Sequence, residues 1–354
     1  MADERFLIVK LSSLGDIIHA LPVLAALRDT FLRARIDWLV DKRWQPLLQG
    51  NPDLNETLVL NGSSVREFFR CGKHLHGETY TAVIDVQSLY RSAILAWRAN
   101  AGQHIGFSWS VAREHAASLF YSIKVKATAA HIVDQNLALA HAAGARPAPV
   151  RFPIFVSSDS QATIDQLLRS SSIERYILLS PGGGWRYKRW PPERFGELAE
   201  KLWNAHHYRI IVNCGPGESD LGEIVLGHAG IAMPIMVQYE LPELKALLMR
   251  ADLVVACDSG PLHLAAALGT PVVGLYGPTD PARNGPYGGR DIVIRHASDE
   301  DTTHDREDSD SESMLAITVN EVLAAVEERL AKKAQDVALE NAKRAPIHGS
   351  GSVQ

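Results

Sequence analysis

Residues 258–280, DSGPLHLAAALGTPVVGLYGPTD, carry the densest set of groups able to handle a charged ligand. The apolar run before them, 253–257, reads as a buried parallel strand. It breaks at Ser259-Gly260-Pro261. Pro261 suits a first helical position, where a missing N–H costs nothing. Residues 262–268 continue as a short helix capped by Gly269, Pro271 ends it, and 272–276 form a second strand. Gly260 admits close backbone approach, and the free N–H groups of the helix start face the turn. Such a turn binds an anion, most naturally a phosphate or diphosphate. The plainer alternative is a βαβ corner whose glycine and proline only make the bend.

A second candidate is SPGGGWRYKRWP at 180–191, between a strand and a helix. Lys188 and Arg189 there can neutralise a diphosphate leaving group; against this stands a flexible loop with Trp190 as packed anchor. Asp16 ends a strand-to-helix turn and can accept a proton from a bound hydroxyl, or serve as a helix N-cap. Glu218 follows Gly215-Pro216-Gly217 and fits either a ribose contact or the first turn of a helix. Arg91 and Arg113 can grip an acceptor's carboxylate or phosphate, or be surface arginines. His263 fits a hydrogen-bonded structural role better than metal binding, because no second His or Cys has ligand spacing with it. No Walker motif or G-x-S-x-G elbow occurs, and the missing G-x-G-x-x-G argues against a dinucleotide site.

These residues need elements to hold them. Strands are expected at 6–10, 36–40, 58–60, 82–86 and 104–107, with helices at 17–30, 90–99 and 131–143 between them. After a Pro-containing stretch at 145–158, a second set follows. Its strands are expected at 176–179, 210–214, 233–237, 253–257, 272–276 and 292–295, its helices at 192–204, 241–250 and 319–333. This alternation predicts two α/β, doubly wound, Rossmann-like domains, 1–150 and 151–333, facing a central cleft. A tail at 334–354 loses apolar periodicity and is expected to be disordered. The acidic, polar tract at 298–313 is expected to be unordered too. Residues 298–312 hold eight acids and one arginine, a net of −7, which leaves +2 for the rest of a chain at −5. That mildly basic body tolerates anionic ligands.

Hydrophobic content of 46% can fill two cores. No run resembles a secretory signal or is long enough to span a membrane, and Cys71, Cys214 and Cys257 are scattered. The expectation is a cytoplasmic protein with buried free thiols.

Four blocks taken in order resemble glycosyltransferase family 9: KLSSLGDIIHALP at 10–22, DVQSLYRS at 85–92, KRWP at 188–191 and DSGPLHLAAALGTP at 258–271. The likeness spans roughly 5–296 and 314–330. The S-S-x-G-D-x-x-H-x-L-P form and the IDWLV run at 36–40 are similar to the heptosyltransferase I type. The resemblance implies the GT-B fold, with the acceptor on the first domain and the nucleotide sugar on the second. It implies inverting transfer of L-glycero-D-manno-heptose from ADP-heptose to a Kdo residue of Kdo-lipid A, in lipopolysaccharide inner-core synthesis. Asp16 would be the general base. Lys188, Glu218, Asp258, Ser259, Gly260, Pro261, Leu262 and His263 would bind the donor, with Tyr239 near adenine. Ser13, Gln87, Arg91 and Arg113 would face the acceptor.

No metal or cofactor is required on this reading; ADP-heptose is a substrate. The implied partners are the ADP-sugar donor, a lipid A-type anionic glycolipid and, transiently, the inner face of the inner membrane, with no nucleic acid. Phe68 and Phe69 among basic residues could touch that membrane, or form a buried helix face. Two departures from the family pattern occur. Ser88 stands where D-x-Q-G-L has glycine, and the basic acceptor-facing segment at 63–76 is sparser. The rival readings are a heptosyltransferase II-like or other family-9 specificity, a non-enzymatic nucleotide-binding module, and a twin-Rossmann oxidoreductase.

Overall fold

The computed structural model describes residues 4–62, 64–298 and 311–344. The first half runs β1 (Arg5–Val9), α1 (Leu14–Ile18), α2 (Leu21–Thr30), β2 (Arg35–Asp41), α3 (Gln45–Leu48), β3 (Glu56–Leu60), α4 (Val65–Gly77), β4 (Thr79–Asp85), α5 (Tyr90–Arg98), β5 (Asn100–Phe107), β6 (Ile123–Val125) and α6 (Ile132–Ala142). The second runs α7 (Ser158–Ser170), β7 (Tyr176–Ser180), α8 (Pro192–His206), β8 (Arg209–Asn213), α9 (Ser219–His228), β9 (Ile235–Val237), α10 (Leu241–Arg250), β10 (Leu253–Cys257), α11 (Gly260–Ala267), β11 (Val272–Tyr276), α12 (Pro281–Asn284), β12 (Ile292–Arg295), α13 (Glu312–Ala316) and α14 (Val319–Arg344).

Each half builds one parallel, six-stranded sheet, ordered β3-β2-β1-β4-β5-β6 and β12-β11-β10-β7-β8-β9. Counted from its own first strand, each sheet reads 3-2-1-4-5-6. The winding therefore reverses between β1 and β4, and again between β7 and β10. Ligands of doubly wound sheets sit beyond the carboxyl ends of the strands at that reversal. The loops leaving these four strands hold Asp16, Gln87, Lys188 and Asp258.

Strands β7, β10 and β11 are buried along their whole length, which is why they read as unbroken apolar runs. A single apolar core runs from β1 and α2 of the first lobe into α10 and α11 of the second. At the seam Leu14 of α1 lies over Gly260: a Cβ on Gly260 would come within 2.5 Å of Leu14 Cδ2. Tyr287 donates to Asp134 at 2.8 Å, and the buried Lys245 ammonium donates to the Pro46 carbonyl at 3.2 Å. The connecting chain is held to the first lobe before α7 joins the second. Arg151 pairs with Asp29 and Asp53 at 2.6 Å each, and Asn51 donates to the Pro153 carbonyl at 2.7 Å.

Several boundaries differ from those read in the sequence. The helix expected over 17–30 is two helices, with Pro22 in the first turn of α2. The strand expected at 233–237 starts at Ile235, because Met233 takes a left-handed φ of 42°. Helix α14 continues past 333 to Arg344. Residues 334–344 are mostly good helix formers. At the end of the acidic tract Glu312–Ala316 form α13, anchored by Met314, which is buried against Gly277. Residues 299–310 and 345–354, which make up most of the acidic tract and the end of the tail, lie outside the described residues.

Candidate active site

In the first lobe Ser13 is the N-cap of α1, and Asp16 is its third helical residue. Asp16 Oδ2 accepts from the Ser13 amide at 3.1 Å and from its hydroxyl at 2.8 Å. The capping role read in the sequence is therefore real, but it occupies one oxygen. Oδ1 makes no hydrogen bond among the described residues. Burial pushes the carboxyl up, but Lys10, both Ser13 donors and His19 outweigh it and hold the pKa at about 2. Lys10 is itself buried, 3.5 Å from the Val86 carbonyl. Desolvation lowers its pKa, with Asp16 and Asp85 opposing and Arg113 and Arg283 adding to the effect.

Gln87 is placed differently from expectation. It is buried, and its Oε1 accepts from the Leu11 and Ser12 amides at 3.1 and 3.3 Å. Its oxygen fixes the turn that presents Asp16 instead of pointing at an acceptor, because two buried amides there need a partner. Arg91 donates to the Gly62 carbonyl at 2.5 Å, tying α5 to the loop before α4. Arg113 is exposed and lies within electrostatic reach of Lys10. Ser88 has a φ of 54°, which explains why the family pattern has glycine there.

In the second lobe, Asp258 leaves β10 almost fully buried. Its Oδ2 takes the Lys188 ammonium at 2.5 Å; its Oδ1 takes His263 Nε2 at 3.1 Å and Asn284 Nδ2 at 3.3 Å. Burial alone would raise its pKa, but the His263 hydrogen bond and the Lys188 charge hold it well below the usual carboxylate range. Lys188 also lies 4.4 Å above the Trp185 ring. The lysine expected on a diphosphate is thus seated on Asp258, and Arg189 donates to the Gly183 carbonyl at 3.0 and 2.9 Å.

Three further candidates have structural surroundings of their own. Gly260 gives its space to Leu14 of the other lobe rather than to a ligand, since both helix starts meet at the seam. Leu262 is buried in the core, which leaves only its amide for the turn. Glu218 clamps two loops: its oxygens accept from the Gly183 amide at 3.2 Å and the Gly215 amide at 2.9 Å. Gly182 lies directly beneath that carboxylate, which gives this one of the loop glycines a packing reason. Ser259 Oγ is buried without a partner among the described residues. Trp190 is the anchor foreseen, fully buried, donating to the Ile317 carbonyl at 2.9 Å. Tyr239 is partly buried against the apolar core. Lys10, His19 and Asn284 were given no role from the sequence; the first two stand inside the 10–22 block, which was the available signal. Among the described residues no group of three or more His, Cys, Asp or Glu side chains is arranged to hold a metal ion.

Two facing Rossmann-like lobes, with the reversal-point loops of both meeting at one seam, are the GT-B architecture of glycosyltransferases. The chain belongs to glycosyltransferase family 9 (heptosyltransferase), which residues 68–315 match, and it is an enzyme. It is 28% identical over 298 residues to the lipopolysaccharide core heptosyltransferase OpsX of Haemophilus influenzae, covering 83% of this chain and 84% of that one. It is 30% identical to lipopolysaccharide heptosyltransferase 1 of Pseudomonas aeruginosa, covering 80% and 81%. The structure of Escherichia coli heptosyltransferase WaaC with ADP superposes with a TM-score of 0.75 at 27% identity, covering 92% of this chain and 99% of that one.

Proposed function

We propose that this enzyme transfers L-glycero-D-manno-heptose, with inversion, from ADP-heptose to a Kdo residue of Kdo-lipid A. One observation carries the reading: a carboxylate with a spare oxygen on one lobe and a Lys188–Asp258–His263 set on the other, both at loops of the α1–α11 seam. The acceptor hydroxyl attacks the anomeric carbon and gives its proton to Asp16. The bond to the diphosphate breaks on the opposite face, and ADP leaves with the electron pair. A carboxylate near 2 is a weak base, but it is ionised at every working pH. It needs to take the proton only as the new C–O bond forms, when the attacking oxygen has become acidic.

On the donor side Asp258 holds heptose hydroxyls, and the first-turn amides of α11 with Lys188 take the charge of the departing diphosphate. Lys188 then turns from Asp258 toward phosphate. Together these groups supply the charge stabilisation a divalent ion would otherwise provide. Glu218 stands beside the ribose and Tyr239 beside adenine, while Ser13, Arg91 and Arg113 face the acceptor. Closure of the lobes excludes water, which would hydrolyse the donor.

The acceptor is a lipid, so the enzyme works at the inner face of the inner membrane. Helix α4 offers the contact: Phe68 packs inward, whereas Val65 and Phe69 are exposed among Arg66, Arg70 and Lys73. No helix among the described residues is long and apolar enough to cross a membrane.

The test is a mass-shift assay on Kdo-lipid A with ADP-heptose, run beside UDP- and GDP-sugars. Addition of one heptose from the ADP donor alone is expected. Asp16→Ala should lower the rate by at least about a hundredfold while ADP still binds. Transfer only to an already heptosylated core would move the enzyme to a heptosyltransferase II-like specificity.

A further inference from the structure

Three imidazoles meet across the lobe seam. His19 caps the C-terminal end of α1 and is buried. Its carbonyl accepts from Asn136 Nδ2 of α6 at 3.0 Å. Its ring stands edge-on to His263 of α11, with centroids 4.5 Å apart, and to His131, at 5.9 Å. His131 also bonds the Gly285 carbonyl at 3.1 Å and meets the Tyr287 ring at 5.0 Å. His263 holds Asp258 through Nε2, while its Nδ1 is buried with no partner among the described residues. Gly15 lies against the same ring: a Cβ there would come within 2.7 Å of His263 Cδ2. The His263 ring is thus held between α1 of one lobe and Asp258 of the other.

We propose that His19 is a positioning residue for the transfer reaction: its ring, from the acceptor lobe, seats His263 against Asp258 and so fixes the donor carboxylate relative to Asp16. This rests on the transferase reading of the same site. His19 touches neither donor nor acceptor in this account and acts through His263.

The charges around His19 give the seam a pH dependence. Facing it are Asp16 on its own helix, Asp258 and His263 from the β10–α11 turn, and His131 at the start of α6. Lys188 stands behind Asp258, and Lys10 near Asp16. Burial leads in disfavouring a proton on His19; His263 and His131 add to it, and the two aspartates oppose, leaving the pKa well below the ordinary histidine value. The packed seam therefore favours neutral His19: its contribution is full above about pH 6.5, the ordinary histidine pKa, and is lost as the pH falls below it.

His19→Ala and His19→Phe test this in the intact enzyme. Ala should lower kcat about tenfold, through lost positioning, and leave the Kd for ADP within about twofold. Phe keeps an edge-on ring that cannot be protonated. It should restore kcat to within about threefold at pH 8 and flatten the acid limb below about pH 6.5. A readout independent of transfer is small-angle X-ray scattering of the ADP-bound enzyme between pH 8 and 5.5. Wild type should expand on acidification and His19→Phe should not. If both variants match wild type in kcat and pH profile, or if kcat, ADP affinity and melting temperature all fall together, His19 does not position the site. If wild type transfers nothing yet expands while His19→Phe does not, the seam role stands and the transferase reading falls.

Discussion

Asp85 and Asp258 occupy matching places: each leaves the fourth strand of its own sheet, and each is buried. Their partners differ. Asp85 takes only neutral donors, namely the Gln87 and Ser88 amides at 2.9 and 3.1 Å, Ser92 at 2.9 Å and the Tyr121 hydroxyl at 2.7 Å. Burial wins there, and its pKa is raised. Asp258 takes the Lys188 ammonium and His263, and its pKa is depressed. One fold position thus serves as a structural knot in the first lobe and as a charged site in the second. The backbone places the carboxylate, and the loops around it decide what the carboxylate does.

The difference can be broken from either side. Asp258→Asn leaves the Lys188 ammonium without its counter-charge. It should cost about 3–5 kcal/mol of stability and at least about a hundredfold in transfer rate. Asp85→Ala strands the Tyr121 hydroxyl and the Gln87 and Ser88 amides. It should cost about 3 kcal/mol of stability and leave the Kd for ADP unchanged. Thermal unfolding and ADP titration of both variants decide the matter; equal loss of ADP affinity in the two would erase the contrast. Mild acid sharpens it. A depressed carboxylate stabilises the fold above its ordinary pKa of about 3.9 and loses that as the pH falls further, whereas protonation of the raised Asp85 relieves a cost.

Smaller effects separate the lobes more finely. Gly260→Ala forces a methyl group into Leu14 and should cost about 1–3 kcal/mol, recovered in part by Leu14→Ala. Recovery would be read as a melting-temperature gain in the double variant over Gly260→Ala alone; none would mean that the seam does not close on that pair. Ser88→Gly removes a left-handed serine and should raise stability by about 1 kcal/mol, seen as a higher denaturant midpoint. A drop would mean that the serine side chain stabilises the turn more than its backbone strains it.

Much of the second lobe was legible in the sequence. Its central strands are apolar runs of β-branched residues, and the breaks after them are Gly-Pro turns with few conformational options. Helices α7 and α9 were harder, because each opens on Ser-Asp, which also suits a loop. The three-residue β6 has too little length for a period to show. Asp16 illustrates the limit within the site: its residue type allows a cap or a base, and only the geometry divides the two roles between its oxygens.

From the chain alone came the twin alternation of strands and helices, the phosphate-suited turns, and the blocks shared with family 9. These are local patterns, written within a few residues of one another. Only the folded structure revealed that Lys188 sits on Asp258, that Gln87 supports the β1–α1 turn, that Leu14 fills the space at Gly260, and that His19 meets His263. Those are contacts between residues far apart in sequence, fixed by how two separately wound sheets close on each other, and no local pattern encodes that closure.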